Sequence, residues 1–260
     1  MQFSHIDPVA FTVFGFSVHW YGLAYIAAFL LGSKYVEKSF ASAPKQSNLS
    51  KDNADSVLTW IILGVLLGGR LGYVFFYNAG FYIEHPLEIL KLWQGGMSFH
   101  GGLLGVIVST YLYAKKNKIP YLELTDRMAP AFCIGLFLGR IANFINGELY
   151  GRITDLPWGI IFPHGGPEPR HPSQLYEAFL EGGLLFLILH LTLKKSPKKG
   201  FVSGLFLIGY GTFRSIVEFV RVRDPQLSDG IFEVISMGQI LCIPMILIGT
   251  AVILLNKGDR

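Results

Sequence analysis

Long apolar runs separated by short polar stretches set the pattern of this chain. Seven runs are long enough to cross a bilayer: Val18–Val36, Val57–Tyr77, Met97–Ala114, Met128–Ile145, Ser173–Leu193, Phe201–Val220 and Ile235–Leu255. About 20 apolar residues span the hydrocarbon core as a helix. A segment alone in hydrocarbon must satisfy its own backbone hydrogen bonds, so every run is predicted to be helical. Most prolines fall between the runs, as helix breakers should. Pro130 is placed in the first turn of the fourth run, where proline is tolerated, and Pro244 lies inside the seventh. The pattern predicts an all-α integral membrane protein of seven transmembrane helices, with residues 1–260 forming one membrane domain and the extracytoplasmic loops small.

Composition agrees with this reading. Of 260 residues, 51% are hydrophobic and only 15% charged, against about a quarter charged in soluble domains. The 30 glycines suit membrane helices, where small residues let backbones approach. A pI near 9.0 raises nucleic acid as a partner, but the basic residues form no continuous stripe, so that partner is excluded. Cys133 and Cys242 each sit in an apolar run with no metal-ligand or disulfide spacing around them, and read as small buried hydrophobes. The N-terminus, Met1–Asp7, is polar and lacks the basic region and cleavage site of a signal peptide.

Loop charge gives the bundle a direction. Lys34, Lys38, Lys45, Lys51, Lys115, Lys116, Lys118, Arg127, Lys194, Lys195, Lys198, Lys199, Lys257 and Arg260 lie on one side, and Lys91, Arg152, Arg170, Arg221 and Arg223 on the other. Basic loops stay in the cytoplasm, so the N-terminus is expected outside and the C-terminus inside. On that orientation Arg70, Arg140, Arg214 and Glu218, with His100, Glu177, Glu181, His19 and Tyr21, share a depth near the outer face. Only His190 falls at the cytoplasmic end. A charge inside a bilayer is costly unless paired or hydrated, and marks a functional candidate. Arg–Glu pairs that fix helix register would leave the same trace. Glu177 and Glu181, one turn apart, call for a nearby arginine or for one carboxyl kept protonated. The basic residues outside the cytoplasmic loops are nearly all arginine, whose planar fork suits phosphate oxygens; the layer therefore suggests a phospholipid headgroup.

Three clusters carry the candidate chemistry. One is the glycine-flanked His100 in Gly95-Gly96-Met97-Ser98-Phe99-His100-Gly101-Gly102, where an imidazole can take a proton near pH 7. Another is Gly139-Arg140-Ile141-Ala142-Asn143-Phe144-Ile145-Asn146-Gly147-Glu148-Leu149-Tyr150-Gly151, with Arg140 and Asn143 on one helix face. The third is Tyr210, Arg214 and Glu218, spaced i, i+4, i+8. Arg170-His171-Pro172-Ser173-Gln174-Leu175-Tyr176-Glu177 adds a polar start to the fifth run.

The second cluster resembles, position by position, the signature G-R-x-[GA]-N-F-x-N-x-E-x-x-G of the bacterial phosphatidylglycerol–prolipoprotein diacylglyceryl transferases. Arg70, the His100 cluster and the Arg170–Glu177 and Tyr210–Arg221 stretches are similar to that family too. The segment between Gly151 and Arg170 is shorter than in some members. The resemblance implies an enzyme of the bacterial cytoplasmic (inner) membrane whose active site faces the outer leaflet. It would move the diacylglyceryl group of phosphatidylglycerol onto the lipobox cysteine thiol of a prolipoprotein signal peptide, releasing glycerol phosphate. No cofactor and no metal site are expected. Arg140 and Arg214 are assigned to the phosphate, with Arg70 and Arg221 as weaker candidates, and His100 is the candidate base or a headgroup ligand. Asn143, Asn146 and Glu148, ahead of Gly151, would position the glycerol or brace the arginines; Tyr21 and Tyr210 would line the cleft, and Glu218 would orient Arg214. The readings from other classes are a transporter or flippase for an anionic lipid, and a structural scaffold.

Overall fold

A computed structural model of the chain describes residues 6–44, 47–195, 197–222 and 236–256. Lys45, Arg223, Ile235, Lys257 and Arg260, used above for loop charge or a span limit, lie outside the described residues, as do residues 1–5. The structure is mostly helical, with β1 (Val9–Val13), β2 (Phe16–His19), α1 (Trp20–Ala41), α2 (Asn53–Tyr77), α3 (Ala79–Glu84), α4 (Phe99–Lys116), α5 (Tyr121–Ile145), α6 (Ser173–Glu177), α7 (Leu185–Lys194), α8 (Phe201–Glu218) and α9 (Met237–Leu255). A π-helical turn, Ala178–Leu184, joins α6 to α7, so that Ser173–Lys194 runs as one helix. Among the described residues, four helices are long and apolar enough to cross a membrane: α2, α5, Ser173–Lys194 and α9. The other three predicted runs are present as α1, α4 and α8.

Two differences from the predicted elements have local causes. The first run was expected to be helical from Val18, but residues 9–19 pair as an antiparallel hairpin, Val13 opposite Phe16 and Val9 opposite His19. Its two-residue turn holds Phe14 at φ 48° and Gly15 at φ 83°, the positive values that a tight hairpin turn requires. His19 therefore ends a strand and Tyr21 begins a helix. In the fourth run the helix starts seven residues earlier, at Tyr121, directly after Pro120. Pro130 is consequently in the helix interior rather than the first turn, with no N–H to offer the carbonyl one turn before.

The chain divides into two compact units, Met1–Tyr35 with Thr125–Arg260, and Val36–Leu124. The second unit is held by α2 against α4. Gly64, Gly68 and Gly72 recur at i, i+4, i+8 and meet Gly101 and Gly105: a Cβ on Gly72 would lie 2.7 Å from the Gly101 Cα, and one on Gly68 2.7 Å from the Gly105 Cα. This is helix packing by small residues, expected where lipid gives no hydrophobic drive for association. In the first unit α8 meets α9 in the same way, through Gly204 and Gly249. Ala129, Cys133, Leu185, Leu189 and Val202 form its buried apolar cluster. The start of α8 is capped from α5: the Asp126 carboxylate accepts from the Gly200 and Ser203 amides at 2.6 and 2.7 Å, meeting donors a helix N-terminus leaves orphaned.

Candidate active site

The signature segment ends α5 in a way its sequence dictates. Gly147 adopts φ 66°, its N–H bonds the Phe144 carbonyl at 2.9 Å and the Glu148 N–H bonds the Asn143 carbonyl at 3.0 Å. These are the two bonds of a Schellman cap, for which glycine is the preferred residue. The cap folds Glu148 back over the last turn, where its Oε1 accepts from Asn143 Nδ2 at 2.8 Å and from Asn146 Nδ2 at 3.4 Å. Asn143 Oδ1 in turn accepts from Arg140 Nη1 at 3.4 Å. The buried Gln174 and Ser173 hold the turn from below, donating to the Glu148 and Leu149 carbonyls at 2.6 and 3.0 Å.

Gly151 closes the segment between two other strands of chain. Its N–H bonds the His171 carbonyl at 2.8 Å, and the next N–H, of Arg152, bonds the Val220 carbonyl at 2.8 Å. A Cβ here would stand 2.5 Å from the Val220 oxygen and 2.7 Å from the His171 Cβ. Only a glycine lets these three segments meet, and their meeting fixes Arg221 at the end of α8. Partial burial pushes the His171 imidazole below its ordinary value, and its Nδ1 lies 3.3 Å from the Tyr176 hydroxyl.

At the centre is Glu177, fully buried. Its Oε2 meets Arg140 Nε at 2.6 Å and Arg214 Nη1 at 3.0 Å, and its Oε1 meets Arg221 Nη1 at 2.8 Å. Arg214 Nη2 also pairs with Glu218 at 2.9 Å. Three arginines, one from α5 and two from the end of α8, thus converge on one carboxylate, their side chains 15–20% exposed. Arg140 and Arg221 each keep an Nη2 with no acceptor among the described residues. Tyr210, one turn before Arg214, stacks on Phe206 and packs against the apolar cluster. Tyr21, with His19, Asn146 and Glu148, lines a cleft of about 710 Å³.

Arg70 is arranged differently. It is 3% exposed, and all five of its N–H groups are directed at carbonyls: Nε at Ile89, Nη1 at Gly95 and Gly96, Nη2 at Glu88 and Lys91. A guanidinium has five donors, so none is left for a phosphate, and its role is to bind residues 88–96 into a loop. In that loop Lys91 bonds Glu88 and holds its carboxyl below the usual carboxylate range. His100 is exposed in the first turn of α4, after the Ser98 cap; it belongs to Val36–Leu124, whereas the arginine cluster belongs to the other unit.

Glu177 was read from sequence as one of the polar layer and as needing a cation, but was given no catalytic or substrate-binding role. The available signal was its spacing from Glu181 and the need of that pair for a cation.

A family model described as prolipoprotein diacylglyceryl transferase matches residues 8–255. The chain belongs to that family. Among curated relatives, the phosphatidylglycerol–prolipoprotein diacylglyceryl transferase of Aeromonas hydrophila is 51% identical over 252 residues, covering 96% of this chain and 90% of its own length. That of Vibrio atlanticus is 52% identical over 250 residues, with coverage of 96% and 90%. That of Geobacter sulfurreducens is 50% identical over 260 residues, with coverage of 99% and 98%.

Proposed function

We propose that the chain is a phosphatidylglycerol–prolipoprotein diacylglyceryl transferase of the bacterial inner membrane, one membrane domain of seven spans with the N-terminus outside and the arginine cluster toward the outer leaflet. The observation that carries the chemistry is the convergence of Arg140, Arg214 and Arg221 on the buried Glu177, with guanidinium donors to spare. The full-length likeness to relatives of that name supports the reaction, and the loop charges support the orientation.

In the reaction the peptide's cysteine sulfur attacks the glyceryl carbon that bears the phosphate. The carbon–oxygen bond breaks, its electron pair goes to the phosphate oxygen, a thioether forms and glycerol phosphate departs. The thiol, with a reference pKa near 8.5, gives up its proton, for which His100 is the candidate acceptor. Negative charge grows on the leaving phosphate, and fixed cations aimed at it lower the barrier. Arg140 and Arg214 supply them, with Arg221 as the third. Glu177 fixes their forks and Glu218 orients Arg214; Asn143, Asn146 and Glu148 position the glycerol and Tyr21 lines the cleft, whereas Tyr210, expected there too, packs on the apolar cluster one turn before Arg214. Arg70 is withdrawn from the phosphate, because its donors are spent.

The test is to incubate the detergent-purified protein with phosphatidylglycerol and a lipobox peptide and to detect the thioether by mass spectrometry. Arg140→Lys and Arg214→Lys, which keep the charge and lose the fork, are each expected to lower turnover about a hundredfold or more. Near-normal turnover in both would remove the phosphate-fork argument. Lipid flipping without product would make the protein a carrier.

A further inference from the structure

Glu181 differs from every other acid in the cluster. Like Glu177 it is fully buried, yet neither of its carboxyl oxygens has a hydrogen-bond partner among the described residues. It lies in the π-helical turn Ala178–Leu184, four residues after Glu177. Single π turns often mark functional positions, and both acids are fully buried. The groups whose charge or ionisation acts on Glu181 come from every side: Glu177 on α6, Arg140 and Cys133 on α5, Tyr210 and Arg214 on α8, Arg221 just beyond α8, and Cys242 on α9. The arginine contacts, however, go to Glu177 and Glu218.

A buried carboxylate with no donor, one turn from another carboxylate, is a poor place for charge. The neutral acid leaves only an unmet polar group, a much smaller cost. The protonation state then decides the balance of the cluster. Three guanidiniums face two carboxylates, Glu177 and Glu218, which leaves one positive charge; Glu148 is exposed and is linked to Arg140 through Asn143. Ionising Glu181 would cancel that charge.

We infer that Glu181 is a protonated carboxylic acid that keeps the arginine cluster one positive charge in excess, and so sets its affinity for a singly charged phosphodiester headgroup. It is a positioning residue that acts through the arginines. The inference rests on the transferase reading for the identity of the headgroup, while the charge state of Glu181 can be read without turnover.

The experiment has two arms on the full-length, detergent-purified protein. Infrared spectra at neutral pH should carry the C=O stretch of a protonated carboxylic acid, lost in Glu181→Gln; a wild type without that band overturns the inference. In the transfer assay the wild-type KM for phosphatidylglycerol should rise as pH rises, by about tenfold for one charge acting through an effective dielectric near 20. Glu181→Gln, neutral at all pH, should hold the low-pH KM throughout. A Glu181→Gln profile that rises in parallel with the wild type overturns the inference. Glu181→Met, neutral and of similar size, should also be flat and serves if the Gln variant fails to fold. A wild type that makes no thioether at any pH sinks the transferase reading; the infrared arm, with vesicles of phosphatidylglycerol or phosphatidylcholine as probes, still decides the charge state.

Discussion

Replacing Glu177 by glutamine removes one negative charge and almost no volume. Three guanidiniums, each 15–20% exposed, would then face an amide where a carboxylate had been. Breaking a buried ion pair by deleting one partner costs about 3–5 kcal/mol. The figure is not tripled here, because the amide oxygen still accepts from one arginine and Arg214 retains Glu218 at 2.9 Å. Against a total stability of about 5–15 kcal/mol the loss is large, and corresponds to a fall of roughly 6–20 °C in Tm at about 2–4 °C per kcal/mol. Thermal unfolding of detergent-purified protein measures it. Glu177→Gln combined with Arg221→Gln should lose less than the two single variants together, because the second change removes a cation the first left unpaired. Strict additivity, or a Glu177→Gln variant that melts with the wild type, would refute the view that one carboxylate organises the three arginines.

Three further outcomes follow from close contacts. Gly151→Ala would drive a Cβ into the Val220 carbonyl and the His171 Cβ; it should cost about 1–3 kcal/mol of overpacking and lower transfer by shifting Arg221, so a variant with wild-type Tm and turnover contradicts the junction. Gly72→Ala places a Cβ 2.7 Å from the Gly101 Cα and should lower Tm by a similar amount, whereas Gly80→Ala, with open space around it, should not; equal effects would argue against the glycine seam. Arg70→Lys exchanges five donors for three, leaving at least two carbonyls of residues 88–96 without a partner at about 1–3 kcal/mol each. Hydrogen exchange should quicken across that loop while the KM for phosphatidylglycerol, measured well below Tm, stays put; a raised KM with unchanged exchange would return Arg70 to the lipid.

How far the sequence could be read depended on how local the cause was. The long helices were legible because an apolar run in hydrocarbon has one backbone solution, and the end of α5 because Asn146-Gly147 announces a helix stop. The β1–β2 hairpin was not, since Phe14 rather than Asn or Asp takes the first positive φ of its turn. Pro120 and the polar turn after it lengthened α5 beyond its apolar stretch, which moved Pro130 inward. The arginines were visible as a layer, and the spacing of Glu177 and Glu181 demanded a cation. Which arginines answered that demand depended on three segments far apart in sequence.

Arg70 and Arg140 show why that last step needs coordinates. Both are arginines in apolar helices beside glycine, and although the polar residues after Arg140 favoured it for the phosphate, sequence left Arg70 a candidate too. The difference is one of stoichiometry. Around Arg70 five donors meet five carbonyl contacts, and a saturated fork can only hold what it already holds. Around Glu177 three forks share two carboxylates, so donors outnumber acceptors and positive charge outnumbers negative. Donors left over at a part-buried site must be met by water or by an anion. A phosphodiester brings oxygens and a single charge together, which meets both surpluses at once. A lysine in place of any of the three could supply the charge but not the planar pair of donors.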